Sequence, residues 1–395
     1  MNKKLISILA LMGVGSYTNT VLQALIHQYS TVGIIRILVG QTKCELYERQ
    51  KGKVWEYSFP LPYYTKKKIF LYLTMPLSLL IQYFTIILMG IILARKAKVS
   101  FSVCIGEFYT GAICGIFLKK IGFIKKVIYW AIDWFPQRSL KEVQLLTFIG
   151  NSLAHPYLDR ISATKSDTTW NFTQRIINAR HNRWKTMPLN IPVEKVITPP
   201  LLLRNSKLYN LAEKKKRVGY IGILKEGQGI ELAIETISHL KKEGIELNLD
   251  IIGTSRYEQY FRDYAKKLDA EENVVFHGYL DDQSLANIVE SWICGLSLFE
   301  GGEKNYSYYT WSSKIGMYLS YGLPVVMTRV PEIADEIERE KAGIIVYYDV
   351  KSVSTAICRL AIENDKFIEY QGNVIKFVTS RMSGNTIIQS INELA

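Results

Sequence analysis

The stretch Gly219-Tyr-Ile-Gly-Ile-Leu-Lys-Glu-Gly-Gln-Gly-Ile-Glu231 decides how this chain is read. An apolar approach, glycines at 222, 227 and 229, and helical periodicity from Ile230 onward spell strand, tight turn and helix start. Glycines there let backbone N–H groups come close to an anion, and the positive end of the helix dipole favours negative charge. Gly222, Gly227 and Gln228 therefore outline a diphosphate cradle, to which Lys225 adds a point charge. A tight βα turn with a solvated lysine is the plainer alternative, and from this stretch alone both stay open.

The same unit repeats downstream. RVGYIG (217–222), NLDIIG (248–253), NVVFHG (273–278), ICGLSLFE (293–300), LPVVMT (323–328) and GIIVYY (343–348) read as strands separated by helical patterns. The first of those helices places Ile230, Ala233, Ile234, Ile237 and Leu240 on one face. Repeated βα units imply a parallel, doubly wound sheet. A second anion signal is Trp311-Ser312-Ser313-Lys314, opening a helix from Ile315 to Tyr321. Two hydroxyls and a lysine at a helix start suit an anion, although a serine pair alone is more often an N-cap. Because both turns follow strands of one sheet, the two signals converge.

Upstream, Pro199, Pro200 and the run from Asn205 to Arg217 read as a linker. The chain opens on Lys3-Lys4 and LISILALMGVG, which has the charge and apolar run of a secretory leader. Its spacing to the next apolar run, Val32 to Val39, favours a buried strand from Lys4 to Ala10 instead. That strand would turn through Gly13 and Gly15 into a helix from about Thr18 to Tyr29. FSVCIGE, YTGAICGIFLKKIG, KKVIYWAIDWFP and RISATKS (160–166) continue as strand, helix, strand and strand. The expected fold is α/β, with two doubly wound parallel-sheet, Rossmann-like domains facing across a cleft. The expected divisions are 1–200, a linker at 201–216, a second domain at 217–375, and a C-terminal helix at 376–395 packing back on the first. Such folds bind ligands at the carboxyl ends of their strands.

Composition narrows the partners. The chain has 395 residues, 48% apolar and 22% charged, with a net charge of +13, so it is globular rather than disordered. Residues 1–130 hold seventeen Lys/Arg against Glu45, Glu48, Glu56 and Glu107, which places all of the excess there. Residues 69–94 form an uncharged apolar run flanked by Lys66, Lys67 and Lys68 and by Arg95 and Lys96. Length alone makes this a transmembrane candidate, but a span would split one parallel sheet across a bilayer. A bent helix at an interface or in the core fits better. The lysines flank an apolar helix and do not line a groove with stacking residues, which argues against nucleic acid. Five scattered cysteines and five scattered histidines form no pairing at metal spacing, so no metal is expected, and a reducing compartment fits.

With these motifs in view, the C-terminal half resembles the nucleotide-sugar-binding domain of GT-B glycosyltransferases of the family-4 type. The matching stretches are GYIGILKEGQGIELAIE, NVVFHGYLDDQSLANIVESW, SSKIGMYLSYGLPVV and VPEIADEI, in the family's order. More loosely, Ala131-Ile-Asp-Trp-Phe-Pro136 is similar to the family's His-Asp-x-Trp-Pro loop on the acceptor side. The resemblance implies that Gly222, Lys225, Gly227, Gln228, Ser312, Ser313 and Lys314 hold a donor diphosphate, and that Tyr279 and Leu280 border the base. It implies that Glu300 faces the sugar or a nearby loop, and that Asp133 approaches the reacting centre. There Asp133 is the candidate general base or acceptor-positioning carboxylate, with a structural cap of the turn from Trp134 to Arg138 as the open alternative. Gly13, Gly15, Ser16, Glu107 and Trp134 would lie on the acceptor side.

Two departures accompany the likeness. The family's phosphate-turn Arg and Lys are Ile223 and Gln228 here, and its E-x7-E pair falls on Tyr309 and Met317, although some GT-B branches carry K-x-x-x-Y-L at that place. The expectation is a retaining, metal-independent hexosyl transfer from a nucleotide-sugar to a lipid-linked or polysaccharide acceptor. It would take place on the cytoplasmic membrane face, with the protein bound peripherally to anionic lipid. The missing carboxylates leave open a non-catalytic GT-B partner that anchors or activates another transferase.

Overall fold

The computed structural model describes residues 7–12, 16–38, 41–60, 68–213, 216–381 and 385–395. It divides into two compact units, Met1–Pro200 with Gly384–Ala395, and Leu201–Ser383.

In the first unit, β1 (Ser7–Met12), β2 (Thr31–Leu38), β3 (Gln41–Glu48), β4 (Gly52–Pro60), β5 (Phe101–Glu107), β6 (Ile124–Ala131), β7 (Thr168–Asn171) and β8 (Glu194–Val196) form one sheet. Its order is β4-β3-β2-β1-β5-β6-β7-β8. The apolar run near the start is thus the central strand, buried along its whole length. It pairs in parallel with β2 and β5, and strand order reverses between β1 and β5. The β2-β3-β4 edge is an antiparallel meander that the βα pattern did not announce.

One expected strand is corrected. Residues 160–166 lie at the end of the helix His155–Lys165, and the strand comes afterwards as β7. Its buried residues His155, Asp159, Ser162 and Ala163 recur at helical spacing, and the Ser162 and Thr164 hydroxyls donate back to the carbonyls of Leu158 and Arg160. The alternation in RISATKS was that of small and polar residues, which does not distinguish the two periods.

The apolar run 69–94 lies within one helix, Lys68–Ala97. Ile86, Met89, Leu93 and Ala94 pack into a core with Leu9, Leu11, Cys104, Cys114 and Leu118, so this part of the helix covers the sheet. Its segment Leu79–Ala97 is long and apolar enough to cross a membrane, with a third of it buried. The C-terminal helix Asn385–Leu394 belongs to the same unit. There the Trp170 indole donates to Ser390 (3.0 Å), Tyr29 donates to Asn392, and Lys195 pairs with Glu393.

The second unit is a six-stranded, all-parallel sheet of β9 (Arg217–Ile221), β10 (Asn248–Ile252), β11 (Val274–Gly278), β12 (Trp292–Ser297), β13 (Val325–Thr328) and β14 (Gly343–Val346). The order β11-β10-β9-β12-β13-β14 is doubly wound, with its reversal between β9 and β12. Residues 201–213 are strapped to this unit. Arg204 N donates to Ser320 O, and the Gln371 side chain bonds both the N–H and the carbonyl of Tyr209.

Candidate functional site

An open α/β sheet offers its binding crevice where strand order reverses, because the flanking helices there part to opposite faces. In the second unit that point is the carboxyl end of β9 beside β12, where the 219–231 stretch lies. Gly229 caps the helix Ile230–Lys242 at φ 78°, and a Cβ there would stand 1.8 Å from the Leu298 carbonyl oxygen. Only glycine lets this turn pass the end of β12. We therefore expect Gly229→Ala to abolish nucleotide binding and to lower stability by about 1–3 kcal/mol, read by calorimetric titration and thermal melting.

Neighbouring strand ends interlock with the turn. Gly222 N donates to Ile252 O at 2.9 Å, and Gly253 N donates to Gly278 O at 2.8 Å. A Cβ on Gly253 would meet the Gly222 carbonyl oxygen at 1.9 Å. Three adjacent strands thus end on backbone without side chains, which leaves a floor of peptide groups for a ligand to approach. Gly253 was not singled out as a site residue, although the shared final glycine of RVGYIG, NLDIIG and NVVFHG was visible in the sequence.

Lys314 stands over this floor. It is the second residue of the helix Ser313–Ser320 and is buried. Its Nζ lies 3.3 Å from Gln228 Oε1, 4.2 Å from the Tyr220 ring centre and 4.6 Å from that of Phe299. The same Nζ is 3.7 Å from where a Cβ on Gly222 would be. Among the described residues no carboxylate pairs with it. Burial pulls its pKa from 10.5 to about 7, and the nearby charge of Lys225 acts in the same direction. A buried ammonium held by an amide oxygen and two ring faces is a cation without its anion.

Four residues on from Lys314, the Tyr318 hydroxyl accepts from Ile221 N (2.8 Å) and donates to Leu296 O (3.0 Å), bridging β9 to β12. The K-x-x-x-Y spacing therefore has a physical basis: one helical turn presents the cation and locks the two strand ends beneath it. Of the other donor-side residues, Lys225 is half-buried with Nζ 5.0 Å from the Tyr306 ring centre, and Gly227 takes φ 73° in the turn. Gln228 is buried on Lys314, Ser312 is a buried N-cap whose side chain makes no capping bond, and Ser313 is exposed. Tyr279 is 84% exposed just past β11, and Leu280 is half-buried. Glu300 is exposed beyond β12, near enough to Glu231 for its charge to help burial raise that carboxyl's pKa. Ile223 is exposed, and Tyr309 and Met317 are half-buried.

In the first unit the corresponding reversal lies between β1 and β5. Gly13 and Gly15 fall outside the described residues, and Ser16 opens the helix Ser16–Gln28 with its side chain likewise outside them. Glu107 ends β5 and is buried; Phe108 follows at φ 59°, a left-handed conformation that costs an aromatic residue about 1–3 kcal/mol. Asp133 is half-buried two residues past β6, and Trp134 is buried.

What gathers here is a residue that sequence reasoning passed over. The His155 ring is surrounded by Phe108, Tyr109, Trp134 and Phe135 at centroid distances of 5.7, 5.8, 5.4 and 5.1 Å. Among the described residues neither ring nitrogen has a hydrogen-bond partner. Burial lowers its pKa to about 4, with Asp159 opposing and Arg180 assisting, so the imidazole is neutral at physiological pH. Nothing in local spacing marked His155, because its neighbours come from two other segments, 108–109 and 134–135. Among the described residues no group of three or more His, Cys, Asp or Glu could hold a metal ion.

Comparison with known proteins agrees with this geometry. Residues 215–363 match the family described as Glycosyl transferases group 1. Over 86 residues, 22% of the chain, it is 33% identical to protein CapJ of Staphylococcus aureus, and the matched part spans only 21% of that relative. Sucrose-phosphate synthase from Thermosynechococcus elongatus superposes with a TM-score of 0.65 at 15% identity, covering 98% of each chain. WaaG, a glycosyltransferase involved in lipopolysaccharide biosynthesis, gives 0.62 at 12% identity over 99% of this chain and 100% of its own. Anabaena HepE in complex with UDP gives 0.62 at 14% identity over 98% and 99%. The fold is that of the GT-B glycosyltransferases, and residues 215–363, which hold the glycine turn, Lys314 and Tyr318, carry the sequence of the Glycosyl transferases group 1 family.

Proposed function

We propose that this protein transfers a sugar from a nucleotide-sugar donor to a lipid-linked or glycan acceptor at the cytoplasmic face of a membrane. The observation that carries the reading is Lys314, a buried cation with no carboxylate partner among the described residues, set over the glycine turn at the switch point of the second sheet. A nucleoside diphosphate supplies the missing negative charge, and peptide N–H groups of the turn from Ile223 to Gly229 with the Ser312 hydroxyl complete its shell. As the glycosidic bond to the leaving diphosphate breaks, these groups take up the charge that develops on its oxygen. In this reading the transfer needs no metal and retains configuration, with a hexose as the transferred group.

Asp133 is the proposed acceptor-side carboxylate, placed past β6 beside the ring cluster around His155. Asp133→Asn is expected to lower turnover about 10²–10⁴-fold while the nucleotide dissociation constant stays within about twofold. An equal loss of nucleotide binding would refute that assignment. Arg95 and Lys96, exposed at the end of the helix Lys68–Ala97, are the proposed contacts to anionic lipid. Lys66 and Lys67, with the Lys68 side chain, lie outside the described residues and keep their proposed role from sequence.

Support from relatives is of the same kind: HepE was solved with UDP and with UDP-glucose, and WaaG acts in lipopolysaccharide biosynthesis. The test is a thermal-shift screen over UDP, GDP and CMP and their sugars. A bound donor raises the melting temperature with ligand concentration. No response to any of them would overturn the enzyme reading. Tyr309 and Met317 in place of two carboxylates favour a second reading, a non-catalytic GT-B partner. Nucleotide binding without donor hydrolysis or transfer would select it.

A further inference from the structure

The helical run from Leu145 to Lys165 is built inside out. It comprises Leu145–Thr147, a π-helical stretch Phe148–Ala154 and the helix His155–Lys165. Its inward side buries Ser152, His155, Asp159 and Ser162, whereas Leu145, Ile149, Leu153, Tyr157 and Ile161 are 44–55% exposed. Those five follow one another at intervals of four residues, a single apolar stripe about 24 Å long at 1.5 Å per residue. A helix that turns polar groups to the core and large apolar ones outward is missing a partner on its outer face.

The neighbouring helices extend the stripe. Phe108–Lys120 touches both this helix and Lys68–Ala97. It exposes Phe117, with Ile121 at its cap, and Lys68–Ala97 exposes Leu80, Phe84 and Leu88 at the same four-residue interval. Across all three helices the only acid is Asp159, which is fully buried against Arg180. Arg95, Lys96, Lys120 and Lys165 are exposed on them. An apolar surface with basic residues and no exposed acid suits an anionic lipid surface, and in a twofold dimer it would set like charge against like.

We propose that Leu145–Lys165 docks in the interface of an anionic bilayer through Leu145, Ile149, Leu153, Tyr157 and Ile161. The inference rests on the membrane reading given above and adds a second, independent element to it. The same run carries His155 into the ring cluster with Trp134 and Phe135, so docking holds the loop after Asp133 near the lipid surface, where a lipid-linked acceptor arrives.

The test is flotation of the full-length protein with vesicles of phosphatidylcholine plus phosphatidylglycerol, and of phosphatidylcholine alone. The triple variant Ile149→Gln, Leu153→Gln, Ile161→Gln changes exposed positions, and an unchanged melting curve checks its fold. It is expected to lose at least about tenfold of its vesicle-bound fraction. In a Cys358→Ser background, a bimane probe on Leu153→Cys is expected to be quenched by lipids brominated along the acyl chain. Wild-type flotation with an unaffected triple variant, or with an unquenched probe, overturns this proposal and leaves the membrane reading standing. No flotation of the wild type removes both. A wild-type dimer that the triple variant splits, with lipid binding intact, assigns the stripe to a second copy of the chain and overturns the proposal.

Discussion

Lys314→Met is expected to weaken binding of a nucleoside diphosphate sugar by roughly a hundredfold, about 3 kcal/mol, and to stabilise the protein when no donor is present. Both effects have one cause. In the free protein the ammonium is buried among Gln228, Tyr220 and Phe299 with no counter-charge among the described residues, and burial brings its pKa down to about 7. Unfolded, the same lysine titrates near 10.5. Between those two values the unfolded chain binds a proton that the folded chain does not, so this group's contribution to stability rises with pH from about 7 towards 10.5. It is least favourable below 7, where folding must bury the charge. Methionine removes that cost along with the anion's partner. Donor affinity of the wild type should be flat below pH 7 and fall above it as Lys314 loses its proton, whereas the methionine variant lacks this step. Titration calorimetry across pH, paired with melting curves of the donor-free proteins, measures both. A variant that binds donor as tightly as the wild type would remove Lys314 from the site.

Asp250→Ala is expected to destabilise the second unit by about 3–5 kcal/mol, a fall in melting temperature of about 10 °C. The Asp250 side chain is fully buried on β10 and is shared by three strands around it. It accepts from Arg217 Nε on β9 (2.6 Å), from His277 Nε2 on β11 (2.6 Å) and from Trp292 Nε1 on β12 (2.8 Å). Alanine leaves the buried indole N–H and the guanidinium without their acceptor. Burial alone would raise the Asp250 pKa, but the hydrogen bonds from Arg217, His277 and Trp292 outweigh it and hold the carboxyl below 3.8. A depressed carboxyl stabilises the fold above its unfolded pKa and stops doing so as pH falls through the folded one. The alanine variant should therefore show a shallower loss of stability on acidification below about pH 4. Because His277 precedes Gly278 and Tyr279, its nucleotide affinity should also fall. Unchanged melting would show that this network does not hold the strand ends in place.

Much of the second unit could be read in advance because each strand there is a short apolar run ending on a turn residue, followed by a helix with one apolar face. Ile230, Ala233, Ile234, Ile237 and Leu240 are all buried, as their spacing required. The first unit was less legible. The edge strand β4 is mostly exposed, so no buried face imposes a period on it, β3 beside it buries Thr42 and Glu45 along with Cys44 and Leu46, and the helix at 155–165 hides its polar side inward. A periodicity reading takes polar to mean outside, and that rule failed at the helix His155–Lys165, which buries Asp159 and Ser162.

By itself the sequence determined the α/β class, the order of the βα units, the glycine turn at 222–229 and the basic excess in residues 1–130, since periodicity, turn chemistry and charge are local properties. Tertiary structure alone decided that Lys314 is buried over Gly222 with no carboxylate partner among the described residues, that Tyr318 joins β9 to β12, that Asp250 ties three strands to its own, and that His155 sits among four rings from two other segments. Those facts depend on burial and on contacts between residues distant in the chain. A lysine is an ordinary solvated cation until the fold removes its water.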